Sequence, residues 1–206
     1  MHRPAILALS LLAAAPHLSA QTSPAALAWT GGASLLQYLI PDEPDFMIVR
    51  GTASHGAMRV EGRWNWEELN TGSLFAGRTF AGGDRLELEF TPSLGLVAGE
   101  LDGVAAAAEF SAVLGPVDFY LEGEYVVDVQ TSENDFLYSW SELGVTPIAP
   151  LRLGLAAQRL RVYQTPLELE RGAFLGFTSG RFTLAGYVFN PATDFQYVVV
   201  SLDLEF

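Results

Sequence analysis

The sequence contains no cysteine and no lysine, and beyond residue 20 it has a single histidine, His55. Without cysteine a disulfide scaffold is excluded, so an exported form must draw its stability from another source. Lys+Arg total 11, all of them arginine, against 24 Asp+Glu, a formal net charge of -13. Such a chain cannot bind nucleic acid by displacing counterions from phosphates, and no nucleic-acid partner is expected. The shortage of histidine leaves most hydrolase chemistry without its base, and His55 falls in the turn signal Ser54-His55-Gly56. No catalytic residue, cofactor-binding residue or metal ligand is therefore expected, and no calcium-loop spacing of alternating Asp and Gly occurs. Long apolar runs are also missing beyond residue 20, although mean hydropathy is +0.24 and hydrophobic residues make up 50%. A bilayer-spanning helix needs about 20 such residues, so helical membrane spans are excluded.

Residues 1–20 read as a secretory signal. His2 and Arg3 precede an apolar stretch from Ala5 to Ala15, Pro16 breaks it, and Leu18-Ser19-Ala20 closes it. Cleavage is expected after Ala20, with Ala26-Leu27-Ala28 as a later alternative. Residues 21–206 then form one domain. Loss of Arg3 leaves ten arginines against 24 acids, a formal charge of -14.

The apolar residues of that domain alternate with polar ones. Met58, Val60, Gly62, Trp64 and Trp66 interleave with Arg59, Glu61, Arg63, Asn65 and Glu67. Leu86, Leu88 and Phe90 oppose Arg85, Glu87 and Glu89, while Val117, Phe119, Leu121 and Tyr125 oppose Asp118, Tyr120, Glu122 and Glu124. A period of two means strands with one apolar and one wet face. Turn signals recur at 41–44, 54–56, 67–71, 82–84, 99–103, 115–116, 131–135, 147–150, 164–166, 178–180 and 190–194. These eleven connections predict twelve strands, starting near Trp29, Asp45, Ala57, Gly72, Arg85, Gly103, Val117, Phe136, Leu151, Leu167, Arg181 and Phe195. The expected fold class is all-β, an up-and-down antiparallel transmembrane barrel with both termini at one end.

In the last strand Val198, Val200, Leu202, Leu204 and terminal Phe206 alternate with Val199, Ser201, Asp203 and Glu205. On this segment the chain resembles Gram-negative outer-membrane β-barrel proteins, porin-like and without an assigned subfamily. The resemblance implies an outer-membrane location and Leu202, Leu204 and Phe206 as the signal read by the barrel-assembly machinery. It also implies outer-membrane lipids and lipopolysaccharide as neighbours, small solutes as cargo, and no cofactor.

Alternation alone also fits a secreted barrel with the apolar face inside. The strand number decides the expectation, because about twelve strands enclose more room than side chains fill at eight, leaving space for charged groups and water. The wet faces then line a lumen with Arg59, Glu61, Arg63, Glu87, Glu89, Glu109, Asp118, Glu122, Glu124 and Glu142. Acids exceed arginines there, so an open lumen prefers cations or neutral polar solutes. Glu–Arg pairing across the centre is the alternative, giving a closed barrel that serves as a structural or partner-binding component. External connections of about four to six residues offer no long segment to fold inward.

Three further expectations concern surfaces. Asp42, Glu43, Asp45, Glu67, Glu68, Glu100, Asp102, Glu133, Asp135 and Asp194 form an acidic rim at the end away from the termini, concentrating cations, bridging divalent ions to lipopolysaccharide phosphates, or simply solvating the loops. Trp29, Tyr38, Trp64, Trp66, Tyr125, Trp140, Tyr163 and Tyr187 suit interfacial girdles, with Tyr138 and Trp140 beside Glu142 as the alternative sugar-stacking pair. Finally, Leu151, Leu153, Leu155 and Ala157 share a face with Arg159, Arg161 and Tyr163, and Leu167 and Leu169 share one with Arg171. A bulge, or a face emerging above the hydrocarbon, would reconcile these.

Overall fold

A computed structural model describes residues 28–162 and 168–206. The signal segment, its cleavage alternatives, Tyr163, Leu167 and the turn at 164–166 lie outside these residues, as does the Arg161 side chain. Thirteen strands are present: β1 (Trp29–Leu39), β2 (Phe46–His55), β3 (Met58–Trp64), β4 (Gly72–Arg78), β5 (Phe80–Gly82), β6 (Leu86–Ala98), β7 (Gly103–Leu114), β8 (Val117–Asp128), β9 (Phe136–Ile148), β10 (Leu151–Val162), β11 (Glu168–Ser179), β12 (Phe182–Phe189) and β13 (Tyr197–Glu205). Apart from β4 and β5, which both pair with β6 and not with each other, sequence neighbours pair antiparallel, and β1 pairs with β13, so the sheet closes on itself.

β4 and β5 are one stave of the barrel, which therefore has twelve. Both pair with β6 in a single register, Gly77 opposite Ser93 and Phe80 opposite Phe90. Between them that register sets Pro92 against Arg78, and proline brings no N–H to the ladder. Thr79 instead donates its N–H to the Ala57 carbonyl at 2.8 Å and shares a 2.9 Å hydroxyl hydrogen bond with Thr91. The strand starts anticipated from the turn signals agree within one or two residues.

The faces fall as the alternation requires. Leu74, Leu94, Leu96, Leu155, Leu175, Leu184 and Leu202 stand exposed on the outer surface. Their strand neighbours Phe75, Val97, Ala156, Phe174, Ala185 and Asp203 are buried within the barrel. An exterior of leucine, valine and phenylalanine around an interior of carboxylates and guanidiniums reverses the order of a water-soluble domain; acyl chains, not water, suit that surface. In lipid, closure is what leaves no strand edge unpaired.

β10 and β11 keep unbroken faces. The register between β9 and β10 shifts by one near Leu151, at the end nearest the termini, so the bulge does not turn the arginines inward. Arg159 and Arg171 continue the outward face of Leu153 and Leu155, exposed toward the far end. The bulge is therefore not what reconciles these strands; the arginines stand exposed on the continuing outward face at the far end.

Candidate functional site

Among the described residues two ion-pair clusters occupy the lumen. In the larger, Arg50 and Arg63 stand directly opposite each other on β2 and β3, and Glu109 and Glu122 directly opposite each other on β7 and β8. Like charges so placed repel within each strand pair. Relief comes across the lumen, where each pair meets the other. Arg50 reaches Glu61 at 2.7 Å and Glu122 at 3.3 Å, and also contacts Glu109. Arg63 donates to Glu61 at 2.6 Å and to Glu124 at 2.5 Å, with Glu122 at 3.4 Å and Glu67 at 3.6 Å. Arg59 joins Glu61 and Glu109 at 2.8 and 3.0 Å. Three guanidiniums thus serve five carboxylates.

In the smaller cluster Arg152 holds Asp118 through two nitrogens, at 2.7 and 3.1 Å, and Glu142 at 2.6 Å. The other Glu142 oxygen accepts from Trp140 Nε1 and Tyr187 Oη, both at 3.0 Å. Bidentate Arg–carboxylate geometry of this kind is strong and directional.

These groups are sealed from water. Glu122 and Trp140 are 0% exposed, Arg50 1% and Glu142 2%. The void bordered by Arg59, Glu61, Thr91 and Glu109 is about 10 Å³, room for one water at most. An apolar cluster including Tyr38, Trp140, Phe174, Tyr187, Phe189 and Tyr197 packs one wall, and Phe75, Val97, Ala105, Val126 and Phe136 another. Of the two interiors the sequence allows, an open wet lumen or one closed by Glu–Arg pairs, the structure shows the centre filled by paired charges and aromatic rings.

No long segment folds inward, but the short loop between β3 and β4 adds a side chain to the seal. The residues joining β3 to β4 turn inward at Asn65, which takes φ 59. That left-handed residue inverts the alternation, so Trp66 faces the lumen where an uninterrupted strand would point it at lipid. Its ring lies 4.8 Å from the Arg63 guanidinium and 5.7 Å from that of Arg50, edge-on to Tyr138 at 5.9 Å. The Asn65 side chain accepts from Asn70 N–H at 2.8 Å and donates to the Met47 carbonyl at 3.1 Å, tying the loop across itself. Glu67 accepts from Ser73 at 2.6 Å, and burial pushes its carboxyl above the ordinary value despite the nearby Arg63.

Of the ten residues expected to line the lumen, Arg59, Glu61, Arg63, Glu109, Asp118, Glu122, Glu124 and Glu142 join these clusters. Glu89 is half-buried and Glu87 exposed, both at the end near the termini and outside the paired network. Sequence reasoning missed Arg50, Arg152 and the inward turn of Glu67. Arg50 sits in Phe-Met-Ile-Val-Arg, where both faces are apolar and periodicity gives no side, whereas Arg152 alternates with Leu151 and Leu153 and was open to detection.

The aromatic girdle is corrected in part. Trp29, Trp64 and Tyr125 are exposed outward, but Tyr38, Trp140 and Tyr187 are interior and Trp66 caps the lumen. Rings fill the space that carboxylates alone would leave charged and wet. Trp140 and Tyr187 lie T-shaped at 5.2 Å with no ring face left open for a sugar. The rim is observed at the end away from the termini except for Glu67: Asp42, Glu43, Asp45, Glu68, Glu100, Glu133 and Asp194 are exposed, Asp102 and Asp135 partly so. Among the described residues no group of three or more His, Cys, Asp or Glu is placed to hold a metal ion.

No family model matches the sequence, and no match to a curated protein is found. Among solved structures the chain is similar to the KdgM porin, with a TM-score of 0.61 and 12% identity over 85% of this chain and 99% of that one. A second structure, the KdgM porin in complex with disordered oligogalacturonate, gives 0.60 at 12% identity over the same shares. The outer membrane protein Omp33 of Acinetobacter baumannii is more distant, at 0.48 and 11% identity over 88% of this chain and 100% of that one. At these identities the likeness is one of fold, and by fold this chain is a porin-like, closed twelve-stranded antiparallel β-barrel.

Proposed function

We propose that the protein is a small diffusion channel of the bacterial outer membrane, exported by its N-terminal signal and held shut at rest by the Arg50–Arg63 cluster beneath Trp66. The carrying observation is what closes the lumen: charged side chains and one short loop rather than a folded domain. Side chains of this kind exchange partners without breaking the barrel ladder, so a narrow path can open. The excess of carboxylates over guanidiniums supports a weak preference for cations or neutral polar solutes. A polyanion, such as the oligogalacturonate named with the KdgM porin, would meet repulsion here.

The burial of Glu122, Trp140 and Arg50 favours a second reading, a permanently closed barrel acting as a structural or partner-binding component. An enzymatic role has less support. His55 is exposed at the β2–β3 turn, its ring 5.0 Å from that of Trp29, on the outside and remote from every lumen carboxylate. Lipids and lipopolysaccharide outside, and the assembly machinery at Leu202, Leu204 and Phe206, are the partners this reading requires.

Planar-bilayer recording of the refolded barrel under a salt gradient separates the readings. Small stepwise openings with a reversal potential of cation-selective sign are expected. A silent bilayer containing folded barrel would leave only the closed reading.

A further inference from the structure

We propose that the outward face of β10 and β11, at the end away from the termini, is a binding site for a phosphate-bearing lipid headgroup, with Arg159 and Arg171 as its ligands. Both side chains are exposed on the outer surface, in line with Leu155, Ala173 and Leu175 below them. In the ladder Arg171 stands opposite Ala157 and Arg159 opposite Leu169, two positions along. They are therefore diagonal neighbours on one face, about 7–8 Å apart at the backbone, and two guanidiniums that close can grip one phosphate from both sides.

Three observations point to an anionic ligand. Neither guanidinium forms an ion pair among the described residues, in contrast to Arg50, Arg59, Arg63 and Arg152. On the β9 side the outward-facing neighbours are Ser139, opposite Arg159, and Ser141, opposite Ala157, so that flank offers hydroxyls and no carboxylate. The rim acids sit on loops, and Glu170, next to Arg171 on β11, turns inward to accept from Tyr197. Depth supplies the third. The Arg171 carbonyl accepts from Asn190 at 2.7 Å, just past the last residue of β12, so Arg171 lies level with the end of β12 and within three residues of the end of β11. Arginine facing lipid costs about 2–4 kcal/mol at mid-bilayer and little at its edge, which puts this pair level with headgroups rather than acyl chains. Among the described residues the other exposed arginines, Arg78, Arg85 and Arg181, lie at the opposite end. A guanidinium's planar, always-charged fork matches phosphate better than any other headgroup element.

The inference rests on the membrane reading above, and the test keeps the two apart. The full chain is refolded into phosphatidylcholine vesicles carrying diphosphoryl lipid A, the same lipid with its phosphates removed, or neither, and bound glycolipid is measured on the extracted barrel. The double variant R159Q/R171Q and the control R85Q are compared with wild type. Wild type and R85Q should retain diphosphoryl lipid A roughly tenfold or more tightly than R159Q/R171Q, as expected for losing charge-assisted hydrogen bonds. The dephosphorylated lipid should bind all three alike. Equal retention by the double variant overturns the site while leaving the membrane reading intact, as does competition by inorganic phosphate at the affinity of the lipid. A barrel that never enters the vesicles overturns both.

Discussion

Gly31 and Phe206 exchange both of their backbone hydrogen bonds: Gly31 N–H donates to the Phe206 carbonyl at 2.7 Å, and Phe206 N–H to the Gly31 carbonyl at 2.9 Å. The Phe206 ring lies over Gly31 so closely that a Cβ there would sit 2.6 Å from Cε2. Phe206 thus fastens the seam between β1 and β13, its ring laid over a residue that has no side chain.

Replacing Gly31 by valine should therefore lift Phe206 from the seam and destabilise the barrel by about 1–3 kcal/mol, the usual cost of overpacking. Deleting Phe206 should act on the same seam and slow folding into vesicles. Urea titration and folding kinetics followed by heat-modified gel mobility would read both; a G31V protein as stable as wild type contradicts the arrangement.

Trp66 covers the guanidiniums of Arg50 and Arg63, so Trp66→Ala should raise conductance and open probability, while Trp66→Phe should keep the lumen near its resting state. The lost cation–π contacts should cost about 0.5–2 kcal/mol. Unchanged single-channel traces for W66A would remove the loop from the closure.

Arg63 compensates four carboxylates, and its loss leaves buried charge unpaired. Arg63→Met should destabilise by roughly 3–5 kcal/mol, a cost that removing Glu124 as well should partly recover. Denaturant midpoints in lipid vesicles measure this. A double variant no better than R63M would show that Arg63 and Glu124 are not coupled.

Glu67 offers a pH dependence whose sign is fixed. Its carboxyl is raised above the ordinary 4.5 by burial, so the closed loop holds the neutral form more tightly than the open one. Closure is then fully supported below the ordinary value and weakens as pH rises through the elevated one. Open probability should climb with pH over that window in wild type and stay flat in Glu67→Gln, as recorded in symmetric salt.

The barrel itself was legible from sequence because period-two alternation survives wherever one face meets lipid: Leu202 and Leu204 point out, and Ser201 and Asp203 in. The turns were legible for the same reason, since Gly115 and Gly180 mark positive-φ positions. The interior was less so. Both faces of β2 around Arg50 are apolar, so no periodicity marks its side, and Asn65 reverses the pattern for Trp66 at a residue that looks like any other turn former. Whether the wet face encloses water or fills itself depends on how Tyr38, Trp140, Tyr187 and Phe189 pack together across strands. That is a property of closure, which spacing along one strand does not encode.

The chain's four tryptophans give the most direct test of which side faces lipid. Trp29 and Trp64 are 68% and 49% exposed on the outer surface, whereas Trp140 is buried in the lumen and Trp66 caps it. Single-tryptophan proteins, the other three replaced by Phe, would be folded into vesicles whose acyl chains carry bromine, and their fluorescence quenching compared. Strong quenching of Trp64 with Trp140 untouched is the predicted result; quenching of Trp140 with Trp64 unaffected would contradict an apolar exterior around a charged, closed lumen.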